Sequence, residues 1–148
     1  MFVNRIVPLK IAKDKYHDIV KRALEDDGWL VTDEQFKFFL EEYRDVFIDM
    51  AAEKLIQATK GKLKIAVEVK SFIGISPITD LYEAIGKYDV YHLGLNEKEL
   101  DRILYLAVPT NAWEELFSLA FAQKLIKLKQ LRLIVYDIAT SKIVKWVK

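Results

Sequence analysis

Residues 64–72, KIAVEVKSF, alternate polar and apolar side chains and include a glutamate and a lysine that are suited to chemistry. Side chains two residues apart on an extended strand point to the same face, so the strand presents Glu68 and Lys70 together. The intervening isoleucine and valines supply an apolar opposite face. A carboxylate and an ammonium in this arrangement are either a solvated surface ion pair or half of a metal-dependent site that cleaves phosphodiesters.

A second carboxylate, Asp49, interrupts the apolar segment VFIDMAAEKL 19 residues before Glu68. A buried carboxylate without a partner is energetically expensive, so Asp49 is expected to face a compensating group. Residues 60–62, Lys-Gly-Lys, are the best turn between the two segments. A hairpin there brings Asp49 close to Glu68 and Lys70, and Glu53 shares the face of Asp49 through the period of two.

Three carboxylates and a lysine in one place suit a hard cation such as Mg²⁺ or Mn²⁺, which takes oxygen ligands and leaves positions for water and phosphate. Asp49 and Glu68 are the predicted metal ligands. Lys70 is expected to orient the attacking water or to offset charge in the transition state. The Glu-x-Lys tripeptide alone is most often an ordinary ion pair, and the placement of Asp49 is what favours the site.

Composition limits the other classes of function. The 148 residues contain no cysteine, which excludes disulfides, thiolate zinc sites and thiol nucleophiles, so a metal must be held by oxygen or histidine.

We expect one domain over residues 1–148 in a cytoplasmic protein, with neither a targeting segment nor a membrane span. The formal net charge of +1 gives no global attraction to nucleic acid, so contacts to DNA are assigned to a local lysine run: Lys124, Lys127 and Lys129.

The predicted elements follow the order helix, strands, helix, strand, helix, strand, strand, which is typical of an α/β fold with a mixed central sheet flanked by helices. Two or three strands are expected over residues 33–72, although the FFLEEYRD segment also suits a helical turn. Ser76 followed by Pro77 is a helix start, and Gly94 is the expected end. The predicted buried stripe of this helix is Ile78, Leu81, Tyr82, Ile85 and Tyr88.

Asp49 followed by the EVK tripeptide resembles the PD-(D/E)xK restriction-endonuclease-like superfamily, whose αβββαβ core has a helix, a three-stranded meander, a helix and a further strand. More specifically, the chain resembles the XisH family, a cyanobacterial family named as a controlling factor for excision of the fdxN DNA element. The resemblance rests on segments that span nearly the whole chain: AKDKYHDIVKRALEDDGWLVTDE, IDMAAEKLIQATKGKLKIAVEVKSFIG, SPITDLYEAIGKYDVYHLGL, DRILYLAVP and IVKWV.

The resemblance implies a DNA-processing or recombination-accessory protein with Asp49, Glu68 and Lys70 as catalytic candidates. The second helix of the family usually reads Gly-Gln-Tyr, where this chain has Lys87, and Tyr91 matches a supporting tyrosine one turn later. A lysine cannot accept a hydrogen bond, so Lys87 departs from the supporting role of a glutamine. The His-Asp pair at His17 also matches the family.

Two classes of function stay open from the sequence. The first is a metal-dependent nuclease-type protein that acts on DNA. The second is a non-catalytic interaction module that acts with XisI, the companion protein associated with the family. A small accessory protein gains DNA footprint by pairing, so we also expect a homodimer or a complex with that companion.

Overall fold

The computed structural model describes residues 9–57, 61–98 and 101–148, and its helices and strands follow the predicted order. The helices are α1 (Leu9–Asp26), α2 (Pro77–Glu97), α3 (Thr110–Ala112, continued by a π-helical turn at Trp113–Phe117) and α4 (Ala120–Lys129). The strands are β1 (Leu30–Asp33), β2 (Phe36–Leu40), β3 (Arg44–Ile48), β4 (Met50–Gln57), β5 (Gly61–Val69), β6 (Ile103–Pro109), β7 (Leu133–Asp137) and β8 (Lys142–Val147).

The central sheet has six strands in the order β1-β4-β5-β6-β7-β8. Strands β1, β4 and β5 are antiparallel neighbours, β5, β6 and β7 run parallel, and β8 returns antiparallel to β7. The prediction of an α/β fold with a mixed sheet flanked by helices is therefore confirmed. Strands β2 and β3 pair with each other as a separate hairpin. When this hairpin is set aside, the order α1, β1, β4, β5, α2, β6 reproduces the expected αβββαβ core.

Both faces of the sheet are packed against helices, so the side chains in the middle of β5 are buried on both faces. Ile65 and Val67 pack in a cluster with residues of α1, such as Leu24. Ala66 packs on the opposite face with residues of α2, such as Leu81. Because side chains alternate along a strand, Glu68 also lies on the α2 side. Ala66 and Glu68 on this face are thus buried under a helix, whereas Lys64 and Lys70 are partly exposed.

Helix α2 begins where the sequence predicts and ends later. The Ser76 hydroxyl accepts the backbone N–H of Thr79 at 3.3 Å, and Pro77 takes the first helical position. The helix continues through Gly94 to Glu97, so the predicted end is wrong. Gly94 has a packing role instead: a Cβ atom built there would overlap the ring of Phe38 from β2.

The buried stripe of α2 also differs from the prediction. Leu81 and Tyr88 are buried as expected, but Ile78 and Tyr82 are exposed. Ala84 is buried instead, which places the small residue of the helix against the sheet. The buried face of α2 is therefore rotated relative to the predicted stripe. The prediction followed the large apolar side chains, whereas the helix packs the small side chain of Ala84 against the sheet.

The segment between α1 and α2 contains more strands than expected. Residues 36–40, which also suited a helical turn, form β2, and a turn with Glu42 at a φ of +63° leads directly into β3. Strands β4 and β5 pair antiparallel as predicted. The predicted turn at residues 60–62 is partly wrong, because Gly61 and Lys62 belong to β5, while Lys60 lies outside the described residues. No helix among residues 9–57, 61–98 and 101–148 is long and apolar enough to cross a membrane.

Candidate functional site

A cleft of about 730 Å³ opens where the carboxyl-terminal end of β5 meets α1 and α2. Its walls come from α1, the β1–β2 connection, the bend between β3 and β4, the end of β5 and the middle of α2. The lining residues are Tyr16, His17, Asp18, Glu34, Gln35, Asp49, Glu68, Val69, Lys70, Ser71, Glu83 and Lys87. The predicted trio of Asp49, Glu68 and Lys70 is therefore in one cavity.

Asp49 and Glu68 are held together by the pairing of β4 with β5. Met50 is opposite Val67, which leaves Asp49 opposite Glu68 one residue further along. The Asp49 carboxylate accepts the backbone N–H of Val69 at 2.8 Å, and the Glu68 Oε1 atom accepts the backbone N–H of Asp49 at 3.4 Å. Each carboxylate is thus tied to the backbone of the other strand, and the structure brings the two predicted metal ligands together.

Glu68 is the buried acid of this pair, with only 5% of its surface exposed. Burial, followed by the charge of Asp49, raises the pKa of its carboxyl from 4.5 to about 8, while Lys87 opposes both effects. Removal from water and a like charge both disfavour the ionised form. The positive charge near the Asp49–Glu68 pair is therefore not enough to compensate two ionised carboxylates.

Lys70 lies at the same edge of the cleft but turns toward α2. Its ammonium donates to Glu83 Oε1 at 3.0 Å and lies 3.7 Å from Asp80 Oδ1. The hydrogen bond from Lys70 is the main reason why the pKa of Glu83 is lowered. The Lys70 backbone N–H bonds to the carbonyl of Ala107, which extends the ladder between β5 and β6. The lysine is therefore anchored at both ends beside the carboxylate pair.

Lys87 reaches the cleft from α2, and Tyr91 lies one helical turn further along the helix, outside the cleft lining. The Lys87 ammonium lies 3.6 Å from Glu68 Oε2 and 3.7 Å from Glu83 Oε1. Tyr91 is partly buried, and burial, followed by the charges of Glu68 and Asp49, raises the pKa of its hydroxyl. Tyr91 thus keeps its proton and is a hydrogen-bond donor near the carboxylates. Lys87 therefore lines the cleft, whereas Tyr91 packs edge-to-face against the Phe38 ring of β2.

Among the remaining predicted residues, His17 lines the cleft and Glu53 does not. Glu53 forms ion pairs with Lys62 at 3.0 Å and Arg102 at 3.5 Å. It shares the face of Asp49, as predicted, but four residues along a strand separate the two by roughly 13 Å. Glu53 therefore belongs to a different group of charges, and its expected convergence with Asp49 and Glu68 is not observed.

The predicted DNA-binding lysines lie on α4, which contributes no residue to the lining of the cleft. Lys124 and Lys127 are exposed, while Lys129 pairs with Asp89 of α2 at 2.8 Å. A contact between this run and DNA would therefore be made outside the cleft.

The sequence reading missed the acids of α2 that hold Lys70. Glu83 precedes Lys87 by four residues, which is the spacing of neighbours on a helix and a signal available from the sequence. Asp80 accepts the backbone N–H of Gly74 at 3.0 Å, and a Cβ atom on that glycine would lie 2.6 Å from Asp80 Oδ1. That contact depends on the path of the loop after β5, so the sequence gives no comparable signal for Asp80.

The charges of the cleft define the ligands it can take. Five acidic side chains and two lysines line it, which leaves a formal charge of −3 when the histidine is neutral. Within the described ranges no group of three or more acidic or histidine side chains is arranged to hold a metal ion, so Asp49 and Glu68 form a pair without a third such ligand. Magnesium commonly binds through one or two carboxylates and keeps several waters, so this pair in an open cleft fits it.

Comparison with known proteins gives consistent matches. The family model described as XisH protein matches residues 11–144. A crystal structure of an XisH family protein from Nostoc punctiforme is 34% identical, with a TM-score of 0.81, and the match covers 91% of this chain and 100% of that chain. A crystal structure of an fdxN element excision controlling factor protein from Anabaena variabilis is 36% identical, with a TM-score of 0.80, covering 91% and 99%. No curated protein matches the chain.

Proposed function

This chain belongs to the XisH family, and from that membership and the chemistry of its cleft we propose that it is a controlling factor for excision of a DNA element, with a magnesium-dependent nuclease-type site. The excision role comes from the name of the Anabaena variabilis relative. The order of elements in the αβββαβ core supports a relationship to restriction-endonuclease-like proteins. Because a fold hosts many activities, the nuclease-type site is argued from its residues.

The observation that carries the proposal is the pair of Asp49 and Glu68 in an open cleft, where each carboxylate bonds to the backbone of the neighbouring strand. Each carboxylate keeps an oxygen that does not bond to the neighbouring backbone, since the backbone bonds use Asp49 Oδ2 and Glu68 Oε1. We assign these two side chains as ligands of Mg²⁺ or Mn²⁺. When bound, such an ion polarises a phosphate and lowers the pKa of a coordinated water.

Three side chains around the pair have separate tasks. Lys70, held by Glu83 and Asp80 at the cleft wall, offers a positive charge to a phosphate of the substrate. The hydroxyl of Tyr91 keeps its proton, because its pKa is raised, and is available as a hydrogen-bond donor. His17 of α1 lines the same cleft.

The formal charge of −3 of the cleft makes DNA binding depend on cations, because an acidic wall repels phosphates. We therefore expect binding to strengthen when Mg²⁺ is present. The α4 lysines, Lys124, Lys127 and Lys129, add contacts outside the cleft. With few phosphates neutralised, binding is expected to be weak and its dependence on salt shallow.

The test is a binding and cleavage assay on duplex DNA, with Mg²⁺, with Mn²⁺ and with EDTA. Metal-dependent cleavage that is lost in Glu68→Ala and Lys70→Ala supports the proposal. Glu53→Gln is the matched control, because Glu53 is a carboxylate on the same sheet face that lies outside the cleft. Circular dichroism establishes that the variants are folded. Absence of both binding and cleavage at low salt, with either metal, contradicts a direct role on DNA.

A second candidate function is a non-catalytic module that acts with an XisI-like companion protein. It is favoured by the pairing of Lys70 with Glu83 and Asp80, which directs the ammonium away from the Asp49–Glu68 pair. Exposed apolar side chains near and on α2, including Ile75 and Tyr82, add a surface for such a partner. A stable complex with the companion, together with no metal-dependent cleavage, supports this function over the first.

A further inference from the structure

Lys87 takes a position beside the carboxylate pair that the proposed metal site does not require. We infer that its ammonium is a tethered counter-cation of Asp49 and Glu68, which competes with a divalent cation and so sets the affinity of the site. This inference rests on the proposed function, because it concerns the same cation.

The contacts of Glu68 show where the competition occurs. Its Oε1 atom accepts the backbone N–H of Asp49 at 3.4 Å, and its Oε2 atom lies 3.6 Å from the Lys87 ammonium. Both oxygens of Glu68 therefore already have a partner. A cation that binds between the carboxylates must share Glu68 with Lys87 or displace it.

The other lysine of the cleft does not compete in this way. Lys70 is occupied by Asp80 and Glu83 on the cleft wall. Of the two lysines that line the cleft, Lys87 is the one that pairs with Glu68 in the described part of the chain. It also has an alternative partner, since Glu83 lies 3.7 Å away at the preceding turn of the same helix. The ammonium can therefore move from Glu68 to Glu83 without movement of α2.

The charge balance gives the direction and size of the effect. A divalent cation binds the pair with both carboxylates ionised. The ionised pair carries a charge of −2, and Lys87 reduces the charge that the cation meets to −1. An ammonium about 6 Å from a divalent cation weakens its binding roughly tenfold even with the screening of bulk water, and more in a partly buried cleft. Removal of the Lys87 charge should therefore tighten divalent-cation binding by about tenfold or more.

The experiment measures the affinity for Mn²⁺ and Mg²⁺ by titration calorimetry, and independently by the rise in melting temperature with metal concentration. Lys87→Gln and Lys87→Met remove the charge, and Lys87→Arg retains it. Lys142→Gln is the matched control, because it removes a lysine that pairs with Asp26 of α1 at 2.9 Å outside the cleft. We expect the two neutral variants to bind Mn²⁺ about tenfold or more tightly, and the arginine and control variants to bind like the wild type.

Equal affinities in the wild type and both neutral variants overturn the inference and leave the proposed metal site intact. Weaker binding in the neutral variants also overturns it, since Lys87 then supports the cation instead of competing. If no variant binds a divalent cation, including the neutral ones, the metal site and the inference both fail. Melting curves without metal establish that each variant is folded, and Lys87→Met provides a second neutral side chain if the glutamine variant is unstable.

Discussion

Replacement of Glu68 by glutamine should change how the stability of the fold depends on pH. The folded protein raises the pKa of Glu68 from 4.5 to about 8, whereas the unfolded chain has the ordinary value. A raised pKa contributes stability that is fully present below the unfolded pKa and is lost as pH rises through the folded pKa. Between these values the wild type therefore becomes less stable with rising pH, because folding must bury a carboxylate that the unfolded chain ionises freely.

The magnitude follows from the two pKa values. Each pH unit between them corresponds to about 1.4 kcal/mol, so the whole window has an upper limit of roughly 5 kcal/mol. Relaxation of the site and entry of water reduce this figure, and we expect a change of about 1 to 3 kcal/mol. Glutamine keeps the shape of the neutral acid and does not ionise, so the Glu68→Gln variant should lack this dependence.

The groups that face Glu68 must be accounted for in the experiment. Asp49 raises the pKa of Glu68 from the β3–β4 bend, and Lys87 lowers it from α2. Tyr91 stays protonated over the same range, since its pKa is raised. His17 on α1 lines the same cleft and is replaced in a His17→Gln background that isolates the effect of Glu68.

The assay is urea unfolding in EDTA at intervals from about pH 5 to pH 9. The free energy of unfolding of Glu68→Gln should exceed that of the wild type by an amount that grows toward pH 8 and then levels off. Glu53→Gln serves as the control, because Glu53 lies outside the cleft. Parallel curves for the wild type and Glu68→Gln across this range would refute the reasoning, since they would mean that folding does not shift the titration of Glu68.

Three further predictions concern packing, DNA contacts and assembly. Gly94→Ala should lower the free energy of unfolding by about 1 to 2 kcal/mol, because the new methyl group meets the Phe38 ring; an unchanged urea midpoint, or no recovery in a Phe38→Leu background, contradicts this. Combined replacement of Lys124, Lys127 and Lys129 by alanine should weaken DNA binding and reduce the salt slope by roughly 0.9 for each phosphate that the protein no longer neutralises; an identical slope in fluorescence anisotropy removes α4 from the interface. The chain should associate, so light scattering at micromolar concentration should give more than the 17.3 kDa of one chain; a monomer that stays unchanged when an XisI-like companion is added contradicts this.

Local chemistry made part of the fold predictable. The alternation of residues 64–70 identified a strand, although the strand ends at Val69 and not at Phe72. The cap of α2 by Ser76 and Pro77 depends on neighbouring residues alone. The register that brings Asp49 opposite Glu68 was expected from a turn near Gly61, and β4 and β5 pair in the predicted direction. These features follow from patterns of a few residues.

Features that depend on distant partners could not be read in the same way. The β2–β3 hairpin turns at Glu42, which has a positive φ without being a glycine, so its turn carries no glycine or proline signal. The period of two placed Glu53 on the correct face, but it does not measure distance along the strand. Arg102, which binds Glu53, enters from the start of β6, and only the folded chain brings the two together.

The central claim is tested most directly by the structure of crystals grown with Mn²⁺, with data collected at the manganese absorption edge. The account predicts an anomalous peak between the carboxylates of Asp49 and Glu68, bound by oxygen from both, and its loss in Glu68→Gln crystals. An ordered cleft without a peak at saturating Mn²⁺, or a peak bound by neither carboxylate, would contradict the assignment of this pair as a metal site.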